Sequence, residues 1–111
     1  MAPSIADNVQ YVPPDSIQRM FNESQYPSMI AHGRLVPTFR RDDHLKEPET
    51  VGQPWCTRSQ TIRYGDEAGQ WLVVVHQYLR PDGTLGASGR PDPKRLPLGN
   101  TVFVVETPVQ D

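Results

Sequence analysis

The longest apolar run in this sequence, Trp71 to Val75, lies inside a strand-like segment that spans residues 70–80. Because both faces of the run are apolar, we predict a strand in the interior of a sheet. Beyond Val75 polar and apolar residues mix, and alternation places His76, Tyr78 and Arg80 on one face. The segment therefore predicts a central strand with a group of polar side chains near its end.

Other segments predict neighbours for this strand. Residues 61–64 are strand-like and reach residue 70 through a glycine-containing stretch, 65–69, that suits a hairpin loop. Residues 101–106 predict a third strand, and residues 35–39 predict an edge strand, because Pro37 cannot donate a ladder hydrogen bond. If residues 101–106 form a free edge, a second copy could pair there, which predicts a homodimer.

The N-terminal third predicts helices rather than strands. Asp15 suits a helix start, and Ile17, Met20 and Phe21 follow at helical spacing. A second short helix is expected over residues 27–33, from a proline to a glycine.

These segments together predict the domain organisation. Residues 1–14 are expected to form a flexible arm, residues 15–106 a single small domain, and residues 107–111 a tail. The predicted fold is α+β and β-dominated. It has a small antiparallel sheet of roughly three to five strands, one or two short N-terminal helices and long irregular loops.

Composition argues against several classes of protein. The chain has 111 residues and a net charge of -2, so no overall positive field draws it to nucleic acid or to an anionic membrane. Its longest apolar run is too short to cross a bilayer, and its N-terminus does not resemble a signal peptide. Cys56 is the single cysteine, which excludes an intrachain disulfide. We expect a cytoplasmic protein without a membrane partner.

A loop predicted over residues 81–100 is where a binding function is most expected. It is long for a domain of this size, and it is locally basic in an acidic chain. Its glycines could leave backbone N–H groups free to hold a phosphate or carboxylate. The same glycines suit tight turns, which is the favoured interpretation, because the sequence matches neither a P-loop nor a dinucleotide-binding fingerprint.

We therefore predict a small non-enzymatic binding protein that contacts a protein or a phosphate-bearing partner through the central strand end and this loop. The predicted binding residues are His76, Tyr78, Arg80, Ser88, Arg90, Lys94 and Arg95. Nucleic acid is a further partner to consider, because bases could stack on exposed tyrosines beside the arginines. No cofactor or metal is expected, since the Asp42-Asp43-His44 stretch lacks the spacing of a zinc site.

Two other functions fit the same residues. A small metal-independent ribonuclease-like enzyme would use His76 as general base, with Arg80 or Arg90 on the phosphate. A histidine beside a tyrosine on a half-buried strand more often serves the fold, so binding is preferred. The second alternative is a structural subunit of a larger assembly, in which proline-rich arms reach neighbouring subunits.

Overall fold

The computed structural model describes residues 8–86 and 89–106. They form one sheet of six strands in the order β1-β6-β5-β4-β3-β2, with neighbours antiparallel except for the parallel pair β1 and β6. The elements are β1 (Asn8–Val12), α1 (Pro14–Glu23), α2 (Tyr26–Ala31), β2 (Val36–His44), a 3-10 helix (Pro48–Val51), β3 (Arg58–Gly65), β4 (Trp71–Leu79), β5 (Asp92–Leu98) and β6 (Thr101–Val105). The β-dominated α+β class and the two helices are confirmed, whereas the strand number was predicted too low.

β1 is one of the two strands that sequence reasoning missed. It lies inside the stretch 1–14 that was predicted to be a flexible arm, and it runs beside β6 with Asn8 opposite Thr101 and Val12 opposite Val105. Its hydrogen-bonding partner is more than 90 residues away, so no local pattern marks it. β6 is thereby paired on both sides, and the homodimer predicted through residues 101–106 has no free edge there. Residues 1–7 of the arm and the tail 107–111 lie outside the described residues.

β5 is the second missed strand, and it occupies part of the predicted loop 81–100. Its two prolines, Pro93 and Pro97, argued against a strand inside a sheet because proline has no N–H to donate. The structure accommodates them because β5 pairs with β4 over three residue pairs only, with a register irregularity beside Pro93. Pro97 lies beyond these pairs and faces Val102 of β6.

Side chains replace the missing backbone bonds at Pro97. If the β4–β5 register continued by two residues, Leu72 would lie opposite Pro97, which could not donate to it. The carbonyl of Leu72 instead accepts a hydrogen bond of 2.9 Å from Nη1 of Arg95. The carbonyl of Pro97 accepts one of 2.8 Å from the hydroxyl of Tyr26 on α2. Both carbonyls are therefore satisfied despite the proline.

The two helices cover one face of the sheet. Ile17 and Phe21 of α1 are buried, as their spacing predicted, and they pack in one cluster with Val73 and Val75 of β4. The helix start expected at Asp15 lies one residue earlier, because α1 begins at Pro14 after the N-cap Pro13, and Asp15 lies in its first turn. None of the described helices is long and apolar enough to span a membrane.

β4 has the interior position that its apolar run predicted, between β3 and β5. Val73 and Val75 are fully buried beneath the helices, whereas Val74 and His76, which point to the opposite face, are half-buried. Although both faces of the run are apolar, the described residues cover only the helix-side face completely. The sheet face opposite the helices, which carries Val74 and His76, is termed the open face.

Candidate functional site

Four directly opposed residues cross the open face in one row. Arg41 of β2 lies opposite Thr61 of β3, Thr61 lies opposite His76 of β4, and His76 lies opposite Asp92 of β5. Opposed residues of antiparallel strands place their side chains on the same face. The register therefore aligns a guanidinium, a hydroxyl, an imidazole and a carboxylate across four strands.

A second row of side chains lies beside the first. Asp43 of β2 is opposite Ser59 of β3, which is opposite Tyr78 of β4. Oγ of Ser59 lies 2.9 Å from Nε2 of His76, and the rings of His76 and Tyr78 meet edge to face with their centroids 4.8 Å apart. Contacts within and between the rows thus hold the imidazole in one orientation.

Charges on β5 and β2 act on the imidazole of His76. Asp92 lies opposite His76, and Lys94 lies close enough to His76 to act on its pKa. Burial lowers the pKa of His76, the cations Lys94 and Arg41 lower it further, and Asp92 partly opposes this shift. At neutral pH the imidazole is therefore mainly uncharged, and the cations Lys94 and Arg41 lie close enough to act on a charge placed beside it. The set made of both rows and Lys94 is termed the His76 face.

The His76 face borders an open cleft of about 730 Å³. The lining residues are Arg41, Asp43, His44, Leu45, Lys46 and Ser59. Arg41 and Asp43 form an ion pair of 3.0 Å in which both side chains are 67% exposed. An ion pair that exposed contributes little stability, so Arg41 can exchange Asp43 for another anion at small cost.

Of the predicted binding residues, the structure brings together His76, Tyr78 and Lys94. It does not add Arg80, whose Nε donates to Oε1 of the buried Gln53 at 3.0 Å.

Two further predicted arginines also point elsewhere. Arg95 donates to the carbonyl of Leu72, as described above. Arg90 lines a separate cavity together with Phe21, Asn22 and Pro27, beside α1. Ser88, the remaining predicted residue, lies outside the described residues.

The glycines of the predicted loop serve the fold of the chain. Gly83 has a φ of 89°, and its amide donates to the carbonyl of Arg80 at 2.9 Å in a tight turn. The amide and hydroxyl of Thr84 donate to the carboxylate of Asp82, and these bonds lower the pKa of Asp82. At Gly86 a Cβ atom would collide with the side-chain amide of Gln53. These contacts support the tight-turn interpretation of Gly83 and a close-packing role for Gly86.

Adjacent acidic residues of β2 point to opposite faces. Asp43 belongs to the His76 face, whereas Asp42 lies on the helix side, where its Oδ1 accepts from Nε of Arg58 at 2.6 Å and from Nε2 of Gln60 at 3.2 Å. The bond from Arg58 is the main cause that lowers the pKa of Asp42. Within the described residues, no three histidine, cysteine, aspartate or glutamate side chains are grouped so that they could hold a metal ion.

Sequence reasoning missed Arg41, Ser59, Thr61 and Asp92. The edge strand was predicted over residues 35–39 only, so Arg41 was not expected on a strand. The available signal was the alternation of Ser59 and Thr61 with Gln60 and Ile62 along β3. That alternation indicates that Ser59 and Thr61 share one face of β3. Which residues of β2 and β4 lie beside them depends on strand pairing between distant parts of the chain.

Comparison of the chain with models of known protein families, with curated proteins and with solved structures found no match in any of the three. A fold alone does not define a function, because one architecture hosts many activities. The function is therefore inferred from the chemistry of the His76 face.

Proposed function

We propose that the protein is a non-enzymatic binding module that holds a phosphate-bearing partner on the His76 face. The supporting observation is that two cations, Lys94 and Arg41, lie close enough to the half-buried imidazole of His76 to lower its pKa. Charges that disfavour a cation at this position favour an anion there. A phosphate group over His76 would therefore be attracted by both cations at once.

Hydrogen-bond donors on the same face would complete the site. Ser59, Thr61 and Tyr78 each present a hydroxyl that can donate to a phosphate oxygen, and the imidazole of His76 supplies an N–H. Hydrogen bonds to an ionised acceptor are stronger than those between neutral groups. The face is open rather than enclosed, which suits a phosphate presented by a larger partner more than a buried small molecule.

Binding would be coupled to protonation of His76. A bound phosphate favours the imidazolium form and would raise the pKa of His76 from its lowered value. The complex then takes up a proton, so affinity would increase as the pH falls toward the pKa of the free protein. The carboxylate of Asp92 would repel a bound phosphate but would stabilise the imidazolium form of His76.

An NMR titration of the full chain with inorganic phosphate tests this proposal, with sodium chloride at matched ionic strength as the control. We expect saturable shifts at the His76 face, and a loss of affinity of about three- to tenfold in both Lys94→Gln and Arg41→Gln. Arg19→Gln is the matched control, because Arg19 is exposed on α1, the helix that packs on the other face of the sheet. Shifts that sodium chloride reproduces, or that neither variant weakens, would contradict the proposal.

A second candidate function is the metal-independent ribonuclease-like enzyme. The observation that favours it is the lowered pKa of His76, since a general base must be unprotonated at working pH. Arg80 and Arg90 are engaged elsewhere, so Arg41 and Lys94 would have to stabilise the phosphate charge. RNA incubated with the wild-type protein and with His76→Ala separates the candidates, because intact RNA in both excludes the enzyme.

A further inference from the structure

The described residues contain two serine–histidine contacts with different chemistry. On α2, Oγ of Ser28 lies 3.3 Å from Nδ1 of His32, but that nitrogen also lies 2.7 Å from the carbonyl oxygen of Ser28. Since a carbonyl can only accept, Nδ1 of His32 carries the hydrogen and cannot take a proton from Ser28. On the His76 face, Nε2 of His76 lies 2.9 Å from Oγ of Ser59, and this nitrogen can accept from the hydroxyl.

From this contact we propose that Ser59 is a nucleophile with His76 as its general base, and that it reacts with activated carboxylic esters. A nucleophile and base within hydrogen-bond reach are the minimal requirement for covalent catalysis by serine. Ser59 also lines the open cleft, so an ester can approach its hydroxyl from solvent while His76 lies next to it. This inference does not depend on phosphate binding, because the ester is uncharged.

The charged neighbours have defined effects on the reaction. When His76 takes the proton of Ser59 it becomes an imidazolium, which Asp92 stabilises from the neighbouring strand and Lys94 and Arg41 destabilise. The negative oxygen that forms on the attacked carbonyl would in turn be stabilised by Arg41 and Lys46, which line the cleft beside Ser59. The site is therefore expected to acylate readily with good leaving groups and slowly with poor ones.

The steps balance without a further reactant. A bond forms between Oγ of Ser59 and the ester carbonyl carbon, the bond from that carbon to the leaving oxygen breaks, and the proton passes through Nε2 of His76 to the leaving group. Water then attacks the acyl-serine with His76 as base, which releases the carboxylic acid and restores the serine hydroxyl.

The experiment treats the full-length protein with p-nitrophenyl acetate and with an alkyl fluorophosphonate, followed by intact mass and peptide mapping. The fluorophosphonate forms an O–P bond at serine and releases fluoride, so it records nucleophilicity without turnover. We expect an adduct on Ser59 and none on Ser28. The adduct should form about a hundredfold more slowly in His76→Gln, and Ser28→Ala should react like the wild type. The rate should increase with pH through the pKa of His76, which faces Asp92, Lys94, Arg41 and Tyr78.

Labelling of the wild-type protein is decisive even if a variant does not fold. No adduct on Ser59, equal labelling of Ser59 and Ser28, or an unchanged rate in a folded His76→Gln would each overturn the proposal. Phosphate titration and labelling of the wild-type protein together distinguish the two functions. Phosphate shifts together with an adduct on Ser59 would support both functions, and an adduct on Ser59 without phosphate shifts would support the nucleophile alone.

Discussion

The proline in the interior strand β5 leads to a prediction about stability. The carbonyl of Leu72 accepts a hydrogen bond from the guanidinium of Arg95. The pairing of β4 with β5 ends at Val74 and Arg95, and two residues further along the same register Pro97, which has no N–H, would lie opposite Leu72. Arg95→Met removes this donor while it retains most of the apolar stem. Pro97→Val gives β5 a backbone N–H that can donate to the Leu72 carbonyl of β4. Valine is also a residue that suits a strand.

The size of the effect follows from the environment of the two groups. A buried carbonyl left without a partner costs about 1–3 kcal/mol, and Leu72 is half-buried, so we expect about 1–2 kcal/mol for Arg95→Met. Burial lowers the pKa of Arg95, which indicates that its charged guanidinium carries a desolvation penalty. Arg95→Met removes that penalty together with the hydrogen bond, so the expected cost lies in the lower part of the range for an unpaired carbonyl. For a chain of this length the loss corresponds to a decrease in Tm of roughly 4–10 °C.

The assay is a double-mutant cycle measured by urea unfolding. In the Pro97→Val background the restored N–H can bond to Leu72, so Arg95→Met should cost less than about 0.5 kcal/mol. The cycle cancels the other interactions of Arg95 and yields a coupling energy of about 1 kcal/mol between the two positions. An equal cost of Arg95→Met in both backgrounds would refute the idea that its guanidinium replaces the proline N–H.

Three further predictions concern the site and the core. In NMR titrations His76 should titrate below the ordinary value of about 6.5, so the free energy of unfolding should increase with pH up to about 6.5, and this dependence should be lost in His76→Gln. Val75→Ala should destabilise by about 2–4 kcal/mol in chemical denaturation, whereas Val36→Ala on the exposed edge strand should change stability by less than about 0.5 kcal/mol. Gly86→Ala should cost about 1–3 kcal/mol through its collision with Gln53, and a cost unchanged by Gln53→Ala would contradict that cause.

Several elements could be predicted because their signals are local. The apolar run of β4 indicated an interior strand, the glycines of 65–69 indicated the hairpin, and the spacing of Ile17 and Phe21 indicated the buried stripe of α1. β1 and β5 could not be predicted in the same way. Five residues of β1 carry too weak a period, and the prolines of β5 become acceptable only through partners such as Tyr26, which is 71 residues from Pro97.

The candidate site shows the same division. Alternation along one strand was enough to place His76 beside Tyr78, and the structure shows their rings in contact. Alternation also predicted Arg80 as a neighbour of His76 and Tyr78. The long side chain of Arg80 instead turns toward Gln53, to which its Nε donates a hydrogen bond. Arg41 and Asp92 join the row only because β2 and β5 pair in one particular register.

The amino-acid sequence by itself determined where the chain can alternate, turn and bury apolar groups, because these properties depend on neighbours within a few residues. It thereby determined the central strand β4 and the placement of the His76 imidazole and the Tyr78 phenol on one face of its polar half. Only the tertiary structure decided which charges face that imidazole, and that Ser59 lies within hydrogen-bond distance of it. Strand register and side-chain hydrogen bonding join residues far apart in the chain, and a one-residue shift in register would place a different set of side chains on the open face.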